Sequence, residues 1–348
     1  MTIPSLNNGD DNKVKEYSIK AFSKDYHEIL INKVLPMLAQ YEPIRIKTLI
    51  KACLGGGTLT ILGVLCLLFV DADKNGNLAW ALIGSGGAIW FWLKKQFENK
   101  IKRKVMPILM NAVPNFRWQE AFNTSKLPLM EQLKIFCAPA GKTVEKYQAD
   151  NPIHTNEITQ SMIFPYDKNC IKTFDDCFIG KYRDVGLVIS ECTYKMSNKT
   201  VFSGAIIRLK MNKNFEGMTI LRPKKHIEVN NIKDLKKAKL QKIELEDIKI
   251  NKMYHIYSTD QIEARYLLTT AFIERFQNIA LAFNSKVAFC VFHGDYVYIA
   301  PYCKKDLFSV GSLVKPVADE KQFNTMFEEF VSILELVDHF KLDKKLGL

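Results

Sequence analysis

Two closely spaced apolar runs dominate the hydrophobic pattern. From Ala52 to Val70 there are nineteen residues without a charge, ACLGGGTLTILGVLCLLFV, which as a helix rising 1.5 Å per residue nearly cover the ~30 Å hydrocarbon layer of a bilayer. Ten of them are Leu, Ile, Val or Phe, and at about −0.3 to −0.6 kcal/mol each their summed insertion preference is roughly −3 to −6 kcal/mol. The second run, Leu78 to Leu93, holds sixteen residues and spans only about 24 Å, so its ends need extension by the snorkelling of Lys94 and Lys95. Trp80 stands near one end of it and Trp90 and Trp92 near the other, positions that suit indoles at the headgroup level. Small residues, Ala52 and Gly56 in the first run and Gly84 and Ala88 in the second, offer close approach of the two backbones.

Helical periodicity continues on both flanks. Tyr26, Ile29, Leu30, Val34, Leu35 and Leu38 share one face before the runs, and Phe97, Ile101, Val105, Ile108 and Ala112 share one after them. Beyond about Trp118 the pattern becomes mixed. Gly186 to Met196 and Thr200 to Met211 read as two strands around Ser197-Asn198-Lys199, with Val201, Ser203, Ala205, Ile207, Leu209 and Met211 on one side of the second. A turn at Asn214 to Gly217 leads to a short strand from Met218, stopped by Pro223. Lys224 to Lys252 holds nine Lys against five acids and reads as a surface loop or linker. Ser258 to Gln261 resembles a capping box opening a helix, and a second helix follows Thr270 with Ile273, Phe276, Ile279 and Phe283 inward. Val287 to Phe292 and Tyr296 to Ala300 form a hairpin around His293-Gly294-Asp295. An amphipathic helix started by Asp319 closes the chain, burying Phe323, Met326, Phe327, Phe330, Leu334, Val337 and Phe340.

Charge sets the expected orientation. Four cations precede the first run (Lys33, Arg45, Lys47, Lys51) and six follow the second (Lys94, Lys95, Lys100, Lys102, Arg103, Lys104), against Lys74 alone between them. Positive residues stay on the cytoplasmic side, so both termini are expected there, in a two-pass protein of the inner membrane. The first twenty residues carry no apolar signal-peptide core, in keeping with a cytosolic start. The total charge of +12 therefore reflects membrane flanks more than a nucleic-acid surface. No aromatic residues interleave with the lysines of 224–252, so nucleic acid is not an expected partner.

Candidate chemistry is sparse. Eight cysteines include no C-x-x-C and read as free thiols, and six scattered histidines show no ligand spacing. Asp71, Asp73, Asn75 and Gly76 match the first half of a calcium loop, but its twelfth position is Leu82 and a plain turn is preferred. Ala140-Gly141-Lys142-Thr143 ends like a phosphate-binding loop, yet Phe136 replaces its opening glycine and Pro139 removes a donor. Asp175 and Asp176 could be an acid–base pair, though adjacent aspartates at the start of a loop more often form turns. Ser190-Glu191-Cys192 names no base. No catalytic residue, cofactor or metal ligand is assigned.

Several segments together resemble the bacterial membrane-anchored family known as domain of unknown function 3137. They are S-M-I-F at Ser161 to Phe164, Asp175-Asp176, Gly180, Ser190-Glu191, Phe202, Gly204, KNFEGMT at Lys213 to Thr219, and the stretch from Ile248 to Phe276 that contains IYSTDQIEARYLLTTAFIERF. They fall between about residues 120 and 310. Thr270 stands where the family's proline is expected and Ile273 where its methionine is. The resemblance implies no activity. Its polar members Glu263, Arg265, Glu274 and Arg275 read as internal salt bridges that fix a two-helix corner.

The expected fold is α+β: a transmembrane helical hairpin (52–70 and 78–93) followed by a cytosolic mixed domain of antiparallel β-hairpins with packed helices. Residues 1–51 form an N-terminal amphipathic helical region, 94–118 a basic juxtamembrane helix and 119–348 the cytosolic domain. The expected function is a membrane-anchored binding or scaffolding module, with membrane lipids and an unidentified protein as partners. The alternative is a membrane-bound hydrolase of nucleotide or lipid, using Lys142 or the acidic pair. An open pocket joining Asp175, Asp176, Glu191 or Lys142 favours the enzyme.

Overall fold

A computed structural model describes residues 18–69, 72–113, 115–120, 153, 155–164, 171–196, 199–224, 235–236, 238–305 and 307–342. Nine strands make one antiparallel sheet: β1 (Arg117–Glu120), β2 (Ile171–Tyr182), β3 (Val185–Met196), β4 (Lys199–Lys210), β5 (Thr219–Pro223), β6 (Gln241–Ile243), β7 (Tyr254–Ser258), β8 (Ala288–His293) and β9 (Tyr296–Pro301). Their order is β1-β2-β3-β4-β9-β8-β5-β7-β6. Both expected hairpins are present, β3 with β4 and β8 with β9. Strand alternation sends Phe178, Leu187, Ile207, Leu221, Cys290 and Ile299 to one face and Val188, Cys192, Ile206, Ile220, Val291 and Tyr298 to the other.

The first face is covered by helices from both ends of the chain. Helix α1 (Ile19–Ile29) is capped by Ser18 and runs through a π-helical turn, Leu30–Val34, into α2 (Leu35–Ala39). Pro36 has no N–H for the regular ladder, and the wider turn absorbs that loss. Helix α3 (Glu42–Phe69) follows. It too widens into a π-helical turn, Cys53–Gly57, over its three consecutive glycines. Helix α4 (Ala72–Met110) is 39 residues long, about 58 Å at 1.5 Å per residue. The short helix α5 (Thr155–Gln160) accompanies the second face, where Ile158 is buried. Helices α6 (Ile248–Met253), α7 (Gln261–Leu267), α8 (Thr270–Ala282) and α9 (Glu320–Leu342) complete the list.

Helices α3 and α4 pack antiparallel. A Cβ on Gly56 would lie 2.7 Å from the Gly86 carbonyl, and one on Gly63 2.8 Å from that of Ala79, so these glycines are what lets the backbones touch. Gly84, expected at the contact, faces open space. Among the described residues α3 is the helix long and apolar enough to cross a membrane, with mean hydropathy 2.1 and little of it buried. The second apolar run belongs to α4, which does not meet the same measure.

One stripe on α4 serves two purposes. Ala79, Ile83 and Gly86 meet α3, and Trp90, Leu93, Phe97, Ile101, Val105 and Leu109 continue the same face into the sheet's core. The spacing of three and four residues never breaks. The N-terminal region is equally part of that core. Phe22 stacks on Phe327 of α9, and the Tyr26 hydroxyl donates to the Phe323 carbonyl at 2.9 Å.

Several local expectations need correction. Asp175 and Asp176 lie inside β2 rather than at a loop start. Val201 faces the opposite side from Ala205, Ile207 and Leu209, because an irregularity between Tyr194 and Lys195 leaves it as an extra residue in β4. Asp260, not Ser258, caps α7 by accepting from the amides of Ile262 and Glu263. The stretch 224–252 contains β6 and α6, so it is not wholly a loop. The calcium-like segment runs into α4 from Ala72 onward, and its Asp71 is outside the described residues.

Candidate functional site

Strand β2 is irregular between Phe174 and Cys177 where it faces β3: Phe174 pairs with Cys192 and Cys177 with Ser190, so Asp175 and Asp176 together oppose Glu191. Such a bulge re-aims side chains. Phe174 and Cys177 face the same side, which places both aspartates on the side covered by α4. Glu191, between Ile189 and the second-face residue Cys192, shares that side. Three carboxylates are thereby gathered where the sheet meets the long helix.

Their environments differ. Asp176 is fully buried and forms an ion pair with Lys102 of α4, while Trp118 Nε1 donates to its other oxygen at 2.9 Å. Burial pushes its carboxyl upward from the ordinary range, and Lys102 and Trp118 oppose that rise. Beside it, Arg103 holds Glu120 of β1 through two hydrogen bonds of 3.1 Å. Glu191 accepts from the Leu307 amide at 3.0 Å and so anchors the loop after β9. Asp175 alone of the three lines an open cleft.

That cleft, of about 110 Å³, lies between α4, β2 and the loop around Ser309. Helix α4 contributes Phe91, Lys94, Lys95, Glu98, Asn99 and Lys102, and Val310 completes the loop wall. Lys94 and Glu98 stand 3.9 Å apart, a contact worth a few tenths of a kcal/mol. The loop wall is held in an unusual shape. Phe308 has φ 53 and Gly311 φ 85, and a Cβ on Gly311 would lie 2.6 Å from Ile101. A bulky residue in the left-handed region costs of order 1–3 kcal/mol and persists only where its surroundings over-determine it. Here the Leu307 amide bonds Glu191, the Gly311 amide bonds Gln322, and Arg45 of α3 donates to the Leu313 carbonyl.

The polar residues of the long family-like segments do something else. Glu263 accepts from the amides of Glu216 and Gly217 at 3.0 and 2.8 Å, and the Thr259 hydroxyl accepts from the Met218 amide at 2.9 Å. KNFEGMT and YSTDQIEAR are therefore two halves of one lock. None of Glu263, Arg265, Glu274 and Arg275 is in an ion pair among the described residues, which corrects the salt-bridge expectation: the carboxylate satisfies turn amides that would otherwise lack acceptors. On the second face, Arg208 grips both oxygens of Glu157 at 2.7 and 2.8 Å and Tyr298 donates to the same carboxylate, fastening α5 to the sheet.

Lys142 and the segment around it fall outside the described residues. Among those described, no group of three or more His, Cys, Asp or Glu converges to hold a metal, and the six cysteines seen are free thiols. The bulge and the strained loop wall carried no sequence signal.

Comparison with known proteins adds a family and a distant likeness. A family model described as "Protein of unknown function (DUF3137)" matches residues 200–342, from β4 to α9, and bears out the resemblance seen in KNFEGMT and IYSTDQIEARYLLTTAFIERF. The earlier segments, S-M-I-F, Asp175-Asp176 and Ser190-Glu191, precede the matched region. No curated protein matches the chain. Among solved structures, the crystal structure of the mycobacterial trehalose monomycolate transport factor A, TtfA, is similar at 12% identity and a TM-score of 0.27, over 47% of this chain and 72% of that one.

Proposed function

With residues 200–342 matching the DUF3137 family model, whose description assigns no activity, we propose that the chain is a membrane-anchored binding module: α3 and the first half of α4 cross the bilayer as a hairpin and hold the sheet domain at its inner face. One observation carries this reading. The outer surface of the hairpin is apolar and bare, with Leu54, Ile61, Leu68 and Phe69 all at least 60% exposed, while its inner stripe runs without interruption into the domain core. An unshielded surface of this kind requires lipid or a partner. Trp80 and Trp92 are exposed at opposite ends of the second run, as headgroup-level indoles would be.

Charge supports the orientation less strongly than the bare count suggests. Lys102, Arg103 and Arg45 are engaged with Asp176, Glu120 and Glu42 inside the domain. The remaining lysines at 33, 47, 51, 94, 95, 100 and 104 still outweigh Lys74. The hydrolase alternative wants two acid–base groups facing one opening; Asp176 and Glu191 are committed to protein donors, and Glu98, the other carboxylate lining the cleft with Asp175, stands 3.9 Å from Lys94.

Carbonate washing followed by cysteine labelling tests the anchor. The natural thiols Cys290 and Cys303 are buried, so Gly76→Cys and Lys304→Cys are the probes. The chain should remain in the membrane pellet, with position 76 modified from outside intact cells and position 304 only after permeabilisation. Release by carbonate, or the reverse labelling, overturns the reading.

A further inference from the structure

The cleft between α4, β2 and the loop at Ser309 is balanced in charge. Below it Lys102 and Asp176 neutralise each other. Around its mouth stand two cations, Lys94 and Lys95, and two anions, Glu98 and Asp175. Lys95 and Asp175 have no ion-pair partner among the described residues, and the Lys94–Glu98 contact is loose at 3.9 Å. A wholly anionic ligand would meet two carboxylates here, and a wholly cationic one two ammonium groups. A small zwitterion meets neither penalty. The volume, about 110 Å³, suits a group of that size and not a drug-sized ligand, which takes about 300–1,000 Å³.

Depth narrows the source. Gly56 lies against Gly86 and Gly63 against Ala79, and continuing that antiparallel register sets Phe91 level with Lys51, the last charge before the uncharged run of α3. The cleft therefore begins where the apolar surface ends. Phe91 is exposed beside it, and the loop wall is fixed in advance by the bonds to Glu191, Gln322 and Arg45.

We propose that this cleft binds the phosphoethanolamine headgroup of a membrane lipid, its phosphate on Lys94 and Lys95 and its ammonium on Asp175. The inference rests on the membrane-anchored reading above. A charge-assisted hydrogen bond from the ammonium to Asp175 separates ethanolamine from choline, which has no N–H to donate. Glycerol headgroups lack the cation and add net negative charge beside Glu98 and Asp175.

The test uses the full chain in detergent-free nanodiscs containing equal phosphatidylethanolamine, phosphatidylcholine and phosphatidylglycerol, with native mass spectrometry of the lipid retained after release. Phosphatidylethanolamine should be retained about tenfold over the other two. Asp175→Asn should abolish the preference over choline, Asp175→Glu should restore most of it, and Lys94→Gln with Lys95→Gln should lower retention of all three lipids. An unaltered thermal melt certifies that each variant is folded. Equal retention of the three lipids by the unmodified chain, or an unchanged preference in folded Asp175→Asn, overturns the proposal. Binding of free O-phosphoethanolamine by the purified chain with no lipid retained assigns the cleft to a soluble ligand and also overturns it. Failure of the anchor itself is seen separately, as release of the chain into the carbonate wash.

Discussion

Asp176 and Lys102 illustrate how a single pair of side chains joins the long helix to the sheet. Removing one partner leaves a buried charge uncompensated, which costs about 3–5 kcal/mol, whereas replacing both by apolar groups is often close to neutral. Lys102→Met should therefore lower stability in urea by about 3–5 kcal/mol, and the double change Lys102→Met with Asp176→Leu should recover most of it; equal losses in the single and double variants would show that the pair is not coupled. Glu329 of α9 gives a second expectation. It is buried, and desolvation pushes its carboxyl up to about 8 from the usual 4.5. The folded state then holds a proton that the unfolded chain releases, so this group's contribution is complete below pH ~4.5 and is lost as pH rises to about 8, at up to about 1.4 kcal/mol per pH unit. Glu329→Gln should flatten the fall in urea midpoint between pH 5 and pH 8. A slope identical to that of the unmodified chain would refute the assignment.

At the level of elements, periodicity revealed what local pattern can reveal. The two hairpins, the buried faces of α8 and α9 and the amphipathic N-terminal helix all appear where the apolar spacing puts them. Strand β2 did not, because Asp175 and Asp176 interrupt its alternation at the bulge, and the same interruption made the two aspartates read as turn formers rather than strand residues. The insertion of β5 between β8 and β7 is a pairing between distant segments, to which local spacing is blind. So is the partner of α1: Tyr26, Leu30 and Val34 announced a buried face, but nothing in the sequence named Phe323 and Phe327 as its cover. That contact is measurable. Tyr26→Phe should cost about 1 kcal/mol through the lost hydrogen bond to the Phe323 carbonyl, and Tyr26→Ala about 3–5 kcal/mol through the cavity, both read from urea unfolding. In the hairpin, Gly86→Leu should push α3 and α4 apart and raise proteolysis within 52–93 while leaving the sheet domain's melt in place. An unaffected hairpin would mean that the glycine contact does not hold the helices together.

Across the whole molecule, α4 joins the hairpin to the sheet without a linker, and the unbroken stripe from Ala79 to Leu109 gives that continuity a mechanical meaning. A helix with one buried face acts as a keyed shaft: whatever sets the angle of its lower half about the axis sets the angle of its upper half as well. One alanine inserted between Leu93 and Lys94 would turn everything beyond it by about 100° and swing Phe97, Ile101 and Val105 out of the core, so the cooperative melt should be lost. An alanine inserted after the exposed Asn212 should leave it nearly unchanged. A tolerated insertion at Leu93 would show the shaft to be slack. If it is keyed, twisting or tilting of the hairpin reaches the sheet as rotation, and the direction in which the cleft opens is fixed by helical phase.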